Sequence, residues 1–148
     1  MSASVRVDLE GTLEVPRAPD QAFGLFTARG EEDWVPGWKP RFVFPESGRL
    51  EEDQVWLTGE GDEATIWSVI RLDREAHTVE YLRVTPGSRL ARVSVRLTAT
   101  EGGSQVQVRY RWTALAPDAR EQLKAFAAGY EAMLAEWQSL ILRHFGPS

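Results

Sequence analysis

The segment from Pro117 to Phe145 constrains this 148-residue chain more than any other. Apolar residues recur there at Leu123, Phe126, Ala127, Tyr130, Met133, Leu134, Trp137, Leu140, Ile141 and Phe145. Steps of three and four place them on one stripe of a helix, with Arg120, Lys124, Glu131, Gln138 and Ser139 mostly off it. Pro117 suits the first helical position, where no backbone N–H is needed, and Asp118 and Glu121 lie near the positive end of the helix dipole. Gly146-Pro147 supplies a C-cap and a breaker. The spacing predicts a single continuous helix of roughly 40 Å. So long an amphipathic rod needs an apolar surface opposite it, and the preceding residues must provide one.

They do so in period two. Val5, Val7, Leu9, Leu13 and Val15 alternate with Arg6, Asp8, Glu10, Thr12 and Glu14, as in a half-buried strand, and Pro16 ends it. A short helix is expected over Ala18–Phe26, with Phe23 and Phe26 buried. Gly30 to Pro40 reads as a helical turn and a tight loop, carrying three acids, two tryptophans and the breakers Pro36, Gly37 and Pro40. Beyond it, turn residues every eight to twelve positions predict an antiparallel meander over Arg41–Pro45, Gln54–Gly59, Ala64–Asp73, Thr78–Thr85, Ser88–Thr100 and Ser104–Ala114. In the last two strands Ala91, Val93, Val95 and Leu97 oppose Arg92, Ser94, Arg96 and Thr98, and Val106, Val108, Tyr110 and Trp112 oppose Gln105, Gln107, Arg109 and Arg111. Such strands show one face to water and one to a core. No repeat, linker or low-complexity tract interrupts the chain, so one domain over residues 1–148 is expected.

Composition removes several function classes. A net charge of −5 argues against nucleic acid as a partner, because phosphate binding needs a basic face. With no cysteine there is no disulfide, thiol catalysis or thiolate metal site. No signal peptide is read at the N-terminus and no apolar stretch approaches a membrane span, so the cytoplasm is the expected compartment. The acidic groups Glu31-Glu32-Asp33, Glu51-Glu52-Asp53 and Glu60-Asp62-Glu63 lack the ligand spacing of a calcium loop and are read as solvated loops. His77 falls in a turn and His144 at the helix end, neither held as a metal or triad histidine would be. Neither a metal nor a cofactor is expected.

Strand, short helices, six-strand meander and long terminal helix make an α+β chain in the order of the helix-grip fold, a curved antiparallel sheet of about seven strands around the last helix. Three stretches carry a family resemblance: Glu14-Val15-Pro16-Arg17-Ala18-Pro19-Asp20-Gln21-Ala22-Phe23, Trp34-Val35-Pro36-Gly37-Trp38-Lys39-Pro40 and Tyr110-Arg111-Trp112-Thr113-Ala114-Leu115. Through them the whole chain resembles the START-like superfamily, in particular its polyketide cyclase/dehydrase and lipid transport branch (SRPBCC). That superfamily includes lipid and hormone carriers, aromatase/cyclases and chaperone activators, and the fold does not choose among them. The resemblance implies a sheet that curls away from the helix and leaves a pocket.

The aromatic residues are the strongest functional signal. Trp56, Trp67, Tyr110 and Trp112 lie on expected strands, Phe126, Tyr130 and Trp137 on the helix stripe, and Trp34 and Trp38 in the loop. Each buries ~150–250 Å² when sequestered, so all should point inward, as packed core or as cavity lining. Gly129, in mid-helix, reads either as room for a ligand or as a packing notch. Tyr81 and Arg83 share one strand face and Leu82 and Val84 the other. The blander reading puts Arg83 outside beside Arg92 or Arg96; inside, it needs a carboxylate or an anionic ligand group. The expected function is therefore to bind a small hydrophobic or aromatic molecule, as a carrier or sensor without catalytic residues. Its expected site comprises Trp34 and Trp38 near the mouth with Trp56, Trp67, Tyr81, Arg83, Tyr110, Trp112, Phe126, Tyr130 and Met133. The helix should meet that cavity at Phe126, Gly129, Tyr130 and Met133 and be sealed on the sheet at Leu134, Trp137, Leu140 and Ile141. The rival is an aromatase/cyclase-like enzyme using Tyr81, Arg83, Tyr130 or a carboxylate such as Glu32. A protein-interaction module is a third reading, and a homodimer is left open.

Overall fold

The computed structural model describes residues 6–146. Its strands are β1 (Arg6–Val15), β2 (Arg41–Phe44), β3 (Val55–Thr58), β4 (Thr65–Asp73), β5 (Thr78–Thr85), β6 (Arg89–Thr100) and β7 (Gly103–Ala114). Those of the meander fall within one residue of the expected bounds. Val5 and Pro147 lie outside the described residues. The helices are α1 (Pro19–Ala22), α2 (Pro117–Ala128) and α3 (Tyr130–Phe145), with 3-10 turns at Phe23–Phe26, Gly30–Asp33 and Gly61–Glu63. No helix among the described residues is long and apolar enough to cross a membrane.

All seven strands form one antiparallel sheet in the order β1-β7-β6-β5-β4-β3-β2. Pairing β1 with β7 joins the two ends of the chain and leaves β2 at the far edge. The alternation read from the sequence sets the inner face. Leu13, Val15, Val93, Val95, Leu97, Val106, Val108, Tyr110 and Trp112 are all buried. Outward Arg109 instead makes a two-point ion pair with Asp8 across β1 and β7, at 3.0 and 3.1 Å. A bulge between Val69 and Arg71 turns the end of β4, leaving Ile70 exposed next to fully buried Val69.

The expected single helix is two. The hydrogen-bond ladder still crosses the junction, from Gly129 N–H to Ala125 O (3.1 Å) and from Met133 N–H to Gly129 O (2.9 Å). The rod is therefore interrupted at Gly129, whose φ of −98° and ψ of 6° depart from helical values, while its hydrogen-bond ladder continues. Glycine is also not needed there as a packing notch. Gly129 is exposed, and a Cβ on it would meet only the Ala125 carbonyl oxygen, 3.6 Å away. Of the helices, α3 packs chiefly on β1, and α2 on β7 and β1, sealed by Leu123, Leu134 and Ile141. The helical cover thus lies over one end of the sheet.

A second glycine is constrained by close approach. A Cβ on Gly30 would lie 1.8 Å from the carbonyl oxygen of Gly24, so the backbones of the first two 3-10 turns touch there. Thr27 locks the crossing, its hydroxyl donating to Gly24 O (2.7 Å) and accepting from Gly30 N–H (3.0 Å). The two glycines should therefore respond in opposite directions to alanine. Gly129→Ala is expected to stabilise the protein by ~0.5–1 kcal/mol, whereas Gly30→Ala should destabilise it by ~3 kcal/mol or more, because the clash is with backbone. Urea denaturation of the two variants checks both signs.

Candidate functional site

The helices pack chiefly on β1 and β7, and beside that contact, against the inner faces of β3, β4 and β5, the interior opens into a cavity of about 530 Å³. Trp56, Trp67, Tyr81, Arg83, Val93, Val95 and Tyr110 line it from the sheet, and Phe126, Met133 and Trp137 from the helices. Phe26, Ala28, Glu31 and Val35 roof it from the segment after α1. The exposed residues Gly37, Lys39, Arg41, Gly59 and Glu60 form its mouth. The size suits a small organic molecule.

One wall is an aromatic array. Trp67 stacks on Trp56 with ring centroids 5.7 Å apart and planes 10° from parallel. Trp38 meets Trp67 edge-on at 5.5 Å, and Tyr81 meets Trp56 edge-on at 5.7 Å. Hydrogen bonds hold the rings: Trp38 Nε1 donates to Ala28 O (2.8 Å) and Trp67 Nε1 to Thr58 Oγ1 (2.9 Å). Buried indole N–H groups ordinarily find such partners. Those of Trp56 and Trp112 have none among the described residues.

Four polar side chains face the same space. Tyr81 donates to the carbonyl of Phe26, and burial, then the Glu31 charge, raises its pKa well above the usual phenol value. Burial pushes Tyr110 up to about 12, with Arg83 pulling the other way. Arg83 lies between two indoles, its guanidinium carbon 4.5 Å from the centroid of Trp67 and 5.0 Å from that of Trp112. Burial lowers its pKa while Tyr110 supports its charge; an arginine still stays cationic. Glu31 is the fourth. Burial raises its carboxyl to about 8, a shift that Arg83 opposes but does not cancel. It is in part accessible, since the cavity reaches it, yet protein surrounds it otherwise.

Eight of the eleven residues expected at the site line this cavity: Trp38, Trp56, Trp67, Tyr81, Arg83, Tyr110, Phe126 and Met133. Arg83 is inside, against the blander reading, because Tyr81 beside it on that face is only 5% exposed and fixes which way β5 turns. The other three stand behind the lining. Trp34 is not at the mouth; its Nε1 donates to Leu25 O (2.7 Å) and its ring backs Trp137 edge-on at 5.8 Å. Trp112 lies under Arg83 and against Phe126. Tyr130 donates to Val108 O (2.6 Å), a hydrogen bond that anchors α3 to the sheet. Gly129 does not reach the cavity, while Trp137, expected to be sealed on the sheet, does. Glu32, the carboxylate named for proton work, is exposed and pairs with Arg29 at 2.9 Å. Glu31 was missed because three consecutive acids look alike in sequence. The signal available was Gly30 beside it, the residue that lets the turn fold under.

The seven-stranded sheet, the short helices after the first strand and the C-terminal helices make this a helix-grip fold. No family model matches the sequence, and no curated protein matches it in sequence. Solved structures of the same fold do match. Norcoclaurine synthase from Thalictrum flavum, in complex with dopamine and hydroxybenzaldehyde, aligns over 98% of this chain and 90% of its own, with a TM-score of 0.68 and 12% identity. An uncharacterised protein from Rhizobium leguminosarum aligns over 95% and 97%, with a TM-score of 0.69 and 12% identity. Ara h 8.0201 aligns over 90% and 98%, with a TM-score of 0.63 and 16% identity.

Glu31 gives a pH test of the site. Its carboxyl titrates near 8 in the folded protein against an ordinary value of 4.5. Across that window the folded state keeps a proton that the unfolded chain has released, so this residue's contribution to stability falls as pH rises. Glu31→Gln removes the effect. Relative to wild type, the variant should gain roughly 4–5 kcal/mol on going from pH 4 to pH 9, measured by urea denaturation at the two values. A difference that does not change with pH would place Glu31 in water.

Proposed function

We propose that the protein, as a single START-like domain, binds a small aromatic or otherwise apolar molecule between its C-terminal helices and its sheet, as a carrier or sensor. The cavity carries this reading. It holds about 530 Å³ in the middle of the fold, where a chain of this size otherwise packs to near-crystalline density. Its lining is aromatic and apolar with a few polar groups, as in most small-molecule sites. That norcoclaurine synthase, with the same fold, has been solved with dopamine and hydroxybenzaldehyde supports an aromatic guest. Trp38, Trp56 and Trp67 would report its arrival directly. Titration with flavonoids, fatty acids and sterols should give a saturable change in tryptophan emission with at least one class, and a flat response across the panel would sink the proposal.

Trp67 separates a lined cavity from a filled core. A fully packed tryptophan costs ~3–5 kcal/mol on truncation to alanine. Trp67 has one side on open space, so Trp67→Ala should cost nearer ~2 kcal/mol and weaken a bound ligand roughly tenfold, about 1.4 kcal/mol. Thermal unfolding and calorimetric titration of the same variant measure the two effects.

One observation favours a second reading, proton transfer on a bound aromatic or polyketide-type molecule. Glu31 shares the cavity with Arg83, and a carboxyl held near 8 can both give and take a proton at neutral pH. Tyr81 and Tyr130 are less suited to such work, since their hydroxyls are committed to backbone carbonyls. Chemical turnover of a bound compound, lost in Glu31→Gln with binding retained, is the result this reading requires.

A further inference from the structure

The cavity has one feature that an apolar guest alone leaves unexplained: the charge on Arg83. Among the described residues no carboxylate lies within ion-pair distance of it. Two carboxylates influence it from further away, Glu31 and Glu63. Glu63 is committed to Arg89, at 2.7 Å. Burial holds the Glu31 carboxyl near 8, mostly protonated at neutral pH, so it offsets little of that charge. Arg83 Nε is sealed from solvent without an acceptor, and the two indole faces offset only part of the cost of desolvating a cation. The space the side chain does meet is the cavity, whose mouth carries two cations, Lys39 and Arg41, against one acid, Glu60.

We infer that the ligand is an anionic amphiphile, an aromatic or aliphatic carboxylate whose head group sits on the Arg83 guanidinium while its body lies along Trp38, Trp56 and Trp67. This rests on the ligand-binding reading above and names the chemical class it takes. The planar guanidinium suits a carboxylate, to which it can present two parallel N–H donors. The partner charge is then supplied by the guest rather than by the chain. That explains how an arginine persists inside an aromatic cavity with no acid of its own beside it. It also gives direction: the carboxylate goes inward to β5 and the apolar end toward the mouth. The basic rim favours the approach of an anion even though the chain as a whole is negative.

The test compares two probes of the same shape, 2-naphthoate and 2-naphthamide, by calorimetric titration at pH 6, where Glu31 is neutral. The wild-type protein should bind the carboxylate roughly tenfold or more tighter than the amide. Arg83→Gln should bring the two affinities to within about twofold of each other by weakening the carboxylate and sparing the amide. Arg83→Lys, which keeps the charge and loses the planar fork, should retain an intermediate preference. The amide binding as well as the acid to wild-type protein overturns this inference and leaves the ligand-binding reading intact; the wild-type comparison needs no variant to fold. An acid preference that survives in Arg83→Gln overturns it too. Neither probe binding at millimolar concentration overturns this inference, and a flat response across the flavonoid, fatty-acid and sterol panel overturns the ligand-binding reading with it.

Discussion

Where the C-terminal helix rests on the sheet decides almost everything else in this molecule. Its apolar stripe is sealed by Leu123, Leu134 and Ile141 and seats on β1 and β7, the strands that join the two ends of the chain. Tyr130 pins the contact with a hydrogen bond to the Val108 carbonyl. A sheet of seven strands is wider than one helix can cover, since packed helices occupy about 10 Å while seven strands at ~4.8 Å span three times that. The strands nearer β2 must find cover elsewhere. The 3-10 turns after α1 and the loop through Trp38 provide a roof for them, and the space between is the cavity.

That geometry also explains the concentration of tryptophan. Strand and loop residues facing the partly covered region need bulk to enclose it, and indoles provide the most area per residue with few rotatable bonds. Trp34 and Trp112 do this from the second layer, Trp34 by backing Trp137 and Trp112 by supporting Phe126 and Arg83. The rings in front are clamped by hydrogen bonds to Ala28 and Thr58. A wall fixed in this way does not collapse into the space it encloses. The polar groups are fewer and set apart: a cation over two rings, a carboxyl in the roof and two phenols, of which Tyr81 is tied to the backbone.

Much of the fold was legible because it follows from periodicity. The alternation in β6 and β7 assigned an inner and an outer face, and burial follows that assignment. Aromatic residues could be expected inside from area alone, and most of the expected site lines the cavity. Three kinds of information were not in the pattern. The side of β5 that faces inward could not be read, because Tyr81-Leu82-Arg83-Val84 offers an apolar option on both faces; pairing with β4 and β6 decided it. Which of three adjacent acids turns inward depended on a contact between Gly24 and Gly30 that no spacing rule describes. Whether a stripe residue seals or lines depended on where the helices seat and how far the sheet extends past them, which put Trp137 in the cavity and Tyr130 out of it.

The sequence by itself determined the elements, their order, the antiparallel meander and the need for a long amphipathic helix as its cover. Each of these is a local property, carried by side-chain period, turn chemistry and caps that act over a few residues. The tertiary structure alone decided that the cover is incomplete, that Arg83 lies between two indoles inside, and that Glu31 rather than Glu32 shares that interior. These depend on distances between residues tens of positions apart. Such distances follow from how strands of fixed spacing and a helix of fixed width fit together, and no single segment of the chain encodes that fit.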